Sequence, residues 1–115
     1  LKQNVELKCG RAADILKSLP ADIEPFDFIF IDADKQSYPE YLELSLNLSH
    51  SGTLIFLDNV IRAGDIINPE NHKPSIEGIR DMFKAMQNHP KILSCTALQT
   101  VGSKGHDGFA LAIVK

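Results

Sequence analysis

Two rhythms of apolar and polar residues alternate along this chain. Residues 5–9, Val5-Glu6-Leu7-Lys8-Cys9, switch between apolar and polar at every step, the period of a half-exposed strand. Residues 26–31 and 53–57 are short, nearly unbroken apolar runs, which suit parallel strands buried on both faces. Residues 92–98 and 109–114 supply two further strands. Between these runs the period is helical. Ala12, Ile15, Leu16 and Leu19 share one helix face, and Pro20 ends that helix. Ser37-Tyr38-Pro39-Glu40 has the form of a capping box with proline in the first turn. The helix it opens carries Tyr38, Tyr41, Leu42 and Leu46 and runs to about Ser51-Gly52. Ser75 caps a third helix, striped by Ile76, Ile79, Phe83 and Met86 and stopped at His89-Pro90. Residues 62–74 have neither period and form a long loop, a kind of segment that is often functional in a small domain.

The order strand-helix-strand-helix-strand-loop-helix-strand-strand predicts an α/β fold: an open, mostly parallel sheet with helices on both faces. The link at 99–108 is too short for a crossover helix, so the last two strands pair antiparallel. Phe26, Phe28, Phe30 and Phe56 belong to the core in this arrangement, as strand residues rather than a stacking platform.

Composition narrows the partners. Net charge is −3 and the basic residues are scattered, which argues against nucleic acid or an anionic membrane surface. No apolar run approaches the roughly 20 residues of a membrane span. The opening residues lack signal-peptide character. Cys9 and Cys95 have no CxxC spacing, so neither a disulfide framework nor a zinc site is expected, and a reducing, cytoplasmic setting fits. His50, His72, His89 and His106 show no ligand spacing and are expected to be solvated. The chain opens without an initiator methionine, directly on a strand-like segment, as a piece of a longer protein would.

The chemistry concentrates at two strand ends. In open α/β sheets ligands bind beyond the carboxyl ends of the strands. There, the run 26–31 leads into Asp32-Ala33-Asp34-Lys35, and the run 53–57 leads into Asp58-Asn59. If the two strands are neighbours, Asp32, Asp58 and Asn59 converge as two carboxylates and an amide oxygen. Hard oxygen donors of that kind suit Mg²⁺, Mn²⁺ or Ca²⁺. Either end alone would be an ordinary turn or helix cap. Lys35 stands beside this rim, and the plain alternative is a solvated lysine paired with Asp34.

The run Phe28-Ile29-Phe30-Ile31-Asp32-Ala33-Asp34-Lys35, with Tyr38-Pro39, Tyr41, Gly52-Thr53-Leu54-Ile55, Asp58-Asn59-Val60-Ile61 and Gly64, resembles the cation-dependent O-methyltransferases of the caffeoyl-CoA and catechol type. The likeness extends from about Val5 to the final strand. It implies a partial Rossmann-like class I methyltransferase fold with strand order 3-2-1-4-5-7-6. This chain would be the carboxy-terminal part of one such domain, residues 1–115, supplying strands three to seven. It implies Asp32, Asp58 and Asn59 as metal ligands, and Lys35, with Asp32, as catalytic residues. It places Asp34, Gly10 and Ala12 against S-adenosylmethionine. The implied reaction moves a methyl group from that cofactor to a hydroxyl of a catechol-like or vicinal-diol molecule. A homodimer of the complete protein follows by the same analogy.

The glycine-rich cofactor loop of that family and the acid after its second strand do not occur upstream of Asp32, and its amino-terminal substrate helices are missing as well. Ala63 stands where the plant caffeoyl-CoA enzymes carry a substrate-binding asparagine, so a plant phenylpropanoid acceptor is not expected. Asp107-Gly108 resembles the family's closing motif and is also a plain turn signal. Two rival readings stand beside the enzyme: an inert or interaction-only fragment, and a phosphatase that forms an aspartyl-phosphate on its Asp-x-Asp.

Overall fold

A computed structural model of the chain describes residues 2–103 and 105–115. Helix α1 (Ala12–Ser18) precedes strand β1 (Phe26–Ile31), helix α2 (Tyr38–Asn47) and strand β2 (Ser49–Asp58). Helix α3 (Pro74–Gln87) leads to the hairpin of β3 (Ile92–Gly102) and β4 (Gly105–Val114). The sheet order is β1-β2-β4-β3. Strands β1 and β2 are parallel, and β4 runs antiparallel to both of its neighbours, as the short final link requires.

Three boundaries differ from expectation, each for a local reason. Helix α2 stops at Asn47 because Ser49 already pairs with Phe26 and starts β2. Helix α3 begins at Pro74 rather than after a Ser75 cap, since proline lacks the N–H that a first turn leaves unpaired. The final strands continue past residue 98: Gln99 pairs with Gly108 and Val101 with His106, leaving only a tight turn. The loop at 62–74 contains a 3-10 stretch, Arg62–Ile67, kinked at Ala63 and Gly64 and fastened to α3 by Arg80. Its guanidinium donates to the carbonyls of Asp65, Ile66, Asn68 and Asn71.

Residues 5–9 are not a strand. They lie outside the sheet with Val5 and Leu7 exposed, although their alternation is that of a strand. Their strand pattern has no partner strand among the described residues.

The helices do not cover both faces of the sheet. The core joins Ile31, Ile55, Leu57, Ala110, Ala112 and Val114 to residues of α1, α2 and α3. The opposite face carries Phe28, Phe30, Leu54, Phe56, Phe109, Leu111 and Ile113. The expectation that the phenylalanines are core residues is corrected accordingly. Phe28 and Phe30 are 51% and 54% exposed, Phe26 is exposed as well, and Phe56 is only half-buried between Phe30 and Phe109. A continuous apolar run does call for burial on both sides, and here one side lacks its cover. Among the described residues no helix is long and apolar enough to cross a membrane.

Candidate active site

Ile31 of β1 pairs directly with Leu57 of β2, so Asp32 and Asp58 follow at the same level on neighbouring strands, whose spacing is about 4.8 Å. The parallel pairing thus brings the two acidic strand ends to one rim. Asn59 comes next and has a left-handed backbone, φ 57°, which asparagine tolerates better than most residues. After a right-handed Ile61 the turn becomes left-handed again at Arg62, Ala63 and Gly64, a concentration of backbone strain of the kind found beside functional sites.

Asp107 holds this turn. Its Oδ1 accepts the N–H groups of Ile61 at 3.3 Å, Arg62 at 3.1 Å and Gly108 at 3.0 Å, and its Oδ2 accepts Asn59 Nδ2 at 3.3 Å. Asp107 is therefore a strand residue that fastens the rim rather than part of a turn. Because its amide nitrogen faces Asp107, Asn59 keeps its side-chain oxygen for something else. Asp58 Oδ1 accepts the Asn59 N–H at 2.8 Å, and Asp32 Oδ1 accepts Lys35 Nζ at 2.9 Å. Each of the three rim residues thus retains one oxygen without a hydrogen bond from the described residues. Among those residues no three His, Cys, Asp or Glu side chains gather as a metal-binding group. The rim set has two carboxylates and an amide, and the chemistry of these donors fits a hard divalent cation.

Lys35 is not a solvated lysine paired with Asp34. Its side chain is only 10% exposed, and Nζ lies between Asp32 Oδ1 and the hydroxyl of Tyr38, the latter at 2.6 Å. The ammonium also sits 4.7 Å from the centroid of the Tyr38 ring. Tyr38 is fully buried, and its hydroxyl donates to the Asp58 carbonyl at 2.6 Å and approaches the Ile31 carbonyl at 3.3 Å. One phenol therefore joins the ends of both strands to the lysine. Burial, then the charges of Asp32 and Asp58, push its pKa up, so it stays protonated and keeps donating. Sequence reasoning placed Tyr38 in an apolar helical stripe. The i,i+3 spacing from Lys35 was the available signal for its polar role. Gly78 was missed as well: a Cβ there would lie 2.4 Å from the Lys35 carbonyl oxygen, so α3 can support the Lys35 turn only as glycine.

The expected cofactor residues divide. Gly10 and Ala12 line one groove of about 330 Å³ with Ile29, Ile31, Asp32 and Tyr41. Asp34 does not line it. Its carboxylate accepts Ser37 Oγ and the Tyr41 hydroxyl, and these bonds, the Ser37 one foremost, hold it below the usual carboxylate range. Ser37 accordingly makes no capping-box bond to its own helix. Gly10, Ala12 and the rim residue Asp32 thus share a groove, with Asp34 one contact behind it through Tyr41. The groove's mostly apolar lining includes one carboxylate, that of Asp32.

Of the histidines, His50 pairs with Asp27 at 2.7 Å and His72 with Glu77 at 2.9 Å, both at the surface. His89 departs from expectation, being mostly covered and 3.1 Å from Glu43. The cysteines are free and exposed.

The O-methyltransferase family model matches residues 1–112. The catechol O-methyltransferase of Niastella koreensis is 47% identical over 116 residues, covering 100% of this chain and 52% of that protein. An O-methyltransferase from Bacillus cereus, solved in complex with SAH, superposes with a TM-score of 0.90 at 50% identity, covering 96% of this chain and 50% of that one. The O-methyltransferase TomG from Streptomyces achromogenes, solved in complex with SAM, superposes with a TM-score of 0.86 at 38% identity, covering 92% of this chain and 48% of that one. The chain spans about half the length of the curated relatives it matches. These matches leave the aspartyl-phosphate alternative without support. With the family model matching residues 1–112 and the sheet in the expected order, the chain belongs to the O-methyltransferase family.

Proposed function

We propose that the protein carrying this chain transfers a methyl group from S-adenosylmethionine to a hydroxyl of a small catechol-like or vicinal-diol acceptor. A divalent cation, Mg²⁺, Mn²⁺ or Ca²⁺, would be held by Asp32, Asp58 and Asn59. The observation that carries this reading is the rim itself: three oxygen donors on adjacent strand ends, each with an oxygen to spare, beside a nearly buried lysine.

Bound there, a cation would polarise an acceptor hydroxyl and favour its ionised form. The chain's own residues do the rest. Once its Nζ has given up its own proton to solvent, the neutral Lys35 amine receives the hydroxyl proton, and Asp32 with Tyr38 keeps that nitrogen in place. Asp107 holds Asn59 and the 59–62 turn so that the amide oxygen stays available. Gly10 and Ala12 leave room for the cofactor along the groove that Asp32 also lines. The acceptor oxygen attacks the methyl carbon, its bond to sulfur breaks, and the sulfonium's positive charge is lost as the neutral thioether leaves. Most of the rate gain in such a displacement comes from positioning.

The test is methylation of catechol by the full polypeptide with labelled S-adenosylmethionine. Turnover is expected to vanish on chelation and to return when Mg²⁺ is added back. Transfer that survives chelation contradicts the cation, and failure with every vicinal diol tried contradicts the acceptor class.

A further inference from the structure

Arg80 of α3 commits its whole guanidinium to holding the loop that follows the rim. An arginine fork carries five N–H donors, and all five are matched here. Nε donates to the Ile66 carbonyl at 2.9 Å. One terminal nitrogen reaches the Asn71 carbonyl at 2.7 Å and Glu77 Oε1 at 2.8 Å. The other reaches the carbonyls of Asp65 at 3.2 Å and Asn68 at 2.6 Å. The side chain is only 19% exposed, so these bonds are largely shielded from water. Two turns of the loop rest on the same carbonyls: the N–H of Asn68 returns to Asp65, and that of Asn71 to Asn68. Glu77 Oε1, which takes Arg80, also lies 2.9 Å from His72 Nδ1. Residues 65–72 are thus held as a unit, although connecting segments are ordinarily the mobile part of a domain.

The near end of this loop lines an open cavity of about 270 Å³, formed by Arg62, Ala63, Asp65, His106 and Asp107. Asp107 also holds Asn59, so the cavity adjoins the rim. It shares no residue with the groove that Gly10 and Ala12 line. Asp65 belongs to both systems, since its carbonyl takes Arg80 while the residue lines the cavity. Helix α3 meets the lysine as well, because Gly78 lies against the Lys35 turn. Gly78 and Arg80 are two residues apart, which is about 200° around a helix. The helix therefore stands between the Lys35 turn and the loop and sets their separation.

We infer, on the methyl-transfer reading, that Arg80 is a positioning residue for the acceptor, holding the loop wall against which the acceptor's ring substituent rests. Two neighbouring hydroxyls are alike to a cation. Only contacts with the rest of the acceptor decide which of them is presented to Lys35 and the methyl group. A misplacement of about 1 Å costs about 100-fold in rate, so this wall needs a fastening that does not yield. Lysine would be a poorer one, with three donors on a flexible stem and no planar fork. None of the five bonds reaches a rim residue, so Arg80 acts through the loop backbone.

The experiment compares the full polypeptide with its Arg80→Met and Arg80→Lys variants, using nitrocatechol with Mg²⁺ as the acceptor probe. In Arg80→Met, hydrogen exchange of the 65–72 amides should quicken roughly tenfold or more. Circular dichroism and S-adenosylmethionine affinity should stay as in the natural protein. Nitrocatechol should bind roughly tenfold more weakly and kcat should fall by about 10–100-fold. The two mono-methyl products, unequal in the natural protein, should approach equal amounts. Arg80→Lys keeps a cation beside Glu77 and should show the same pattern to a smaller extent. Exchange and binding are read without turnover, so a failure of methyl transfer in the natural protein is distinguished from a failure of Arg80. Unchanged loop exchange in Arg80→Met overturns the inference. So does faster exchange with the natural acceptor affinity and product ratio, which leaves Arg80 a purely structural residue.

Discussion

Replacing Lys35 with methionine is expected to lower kcat by roughly 10²–10⁴-fold, the usual contribution of a positioned acid or base, while the affinity for S-adenosylmethionine changes little. Methionine keeps the apolar stem that packs beside the Tyr38 ring and removes only the nitrogen. A group that acts on the reacting proton is felt in the transition state, so the loss should appear in kcat and kcat/KM together. Tyr38→Phe should give a smaller loss of the same kind. That variant removes the bond that positions Nζ, along with the one to Asp58, but leaves the lysine. Steady-state kinetics with calorimetric cofactor binding separates these effects. Full turnover in Lys35→Met would reduce the lysine to a structural partner of Asp32.

The second large effect concerns the uncovered sheet. We propose that these 115 residues are the carboxy-terminal part of one domain, in line with their spanning half the length of their relatives. Phe28 and Phe30 are half exposed, the outer edge of β1 is unpaired, and residues 5–9 have a strand pattern without a strand. Covering a large apolar side chain contributes about 1.5–3 kcal/mol, and a whole domain is stable by only about 5–15 kcal/mol. Several such side chains left in water are therefore a large fraction of the total. The 115 residues alone are expected to unfold without a sharp transition and to show neither tight S-adenosylmethionine binding nor methyl transfer. Co-production with the complementary half of a close relative should restore cooperative unfolding and cofactor binding together. A monomeric, cooperatively folding 115-residue chain with micromolar cofactor affinity would contradict this domain assignment.

What the sequence made legible follows from how local each signal is. The parallel pair β1 and β2 was readable because apolar runs and the acids after them are contiguous in the chain. The rim followed once those strands were taken as neighbours. Lys35 was placed beside the rim, but its partner was not, because the choice between Asp34 and Asp32 depends on how the chain turns after β1. Tyr38 looked like a core residue since its ring is one; only its hydroxyl meets Lys35 and the strand carbonyls, and periodicity does not see a single polar atom. Asp107 and Gly78 act on residues 48 and 43 positions away, Asn59 and Lys35, over distances in sequence that no local pattern spans. The phenylalanines were misplaced for a different reason. A continuous apolar run reads as burial on both faces, whereas among the described residues the helices pack on only one face of the sheet.

The most direct test of the central claim is Mn²⁺ binding to the full polypeptide, followed by the paramagnetic resonance signal of the free ion, in the natural sequence and in Asp58→Ala. If Asp32, Asp58 and Asn59 hold the cation, the natural protein binds Mn²⁺ at a site that supports methyl transfer. Asp58→Ala should then weaken binding by more than the roughly 10–100-fold that losing a supporting hydrogen bond costs, and transfer should fall with it. Equal Mn²⁺ affinity and cation-stimulated turnover in Asp58→Ala would contradict the account.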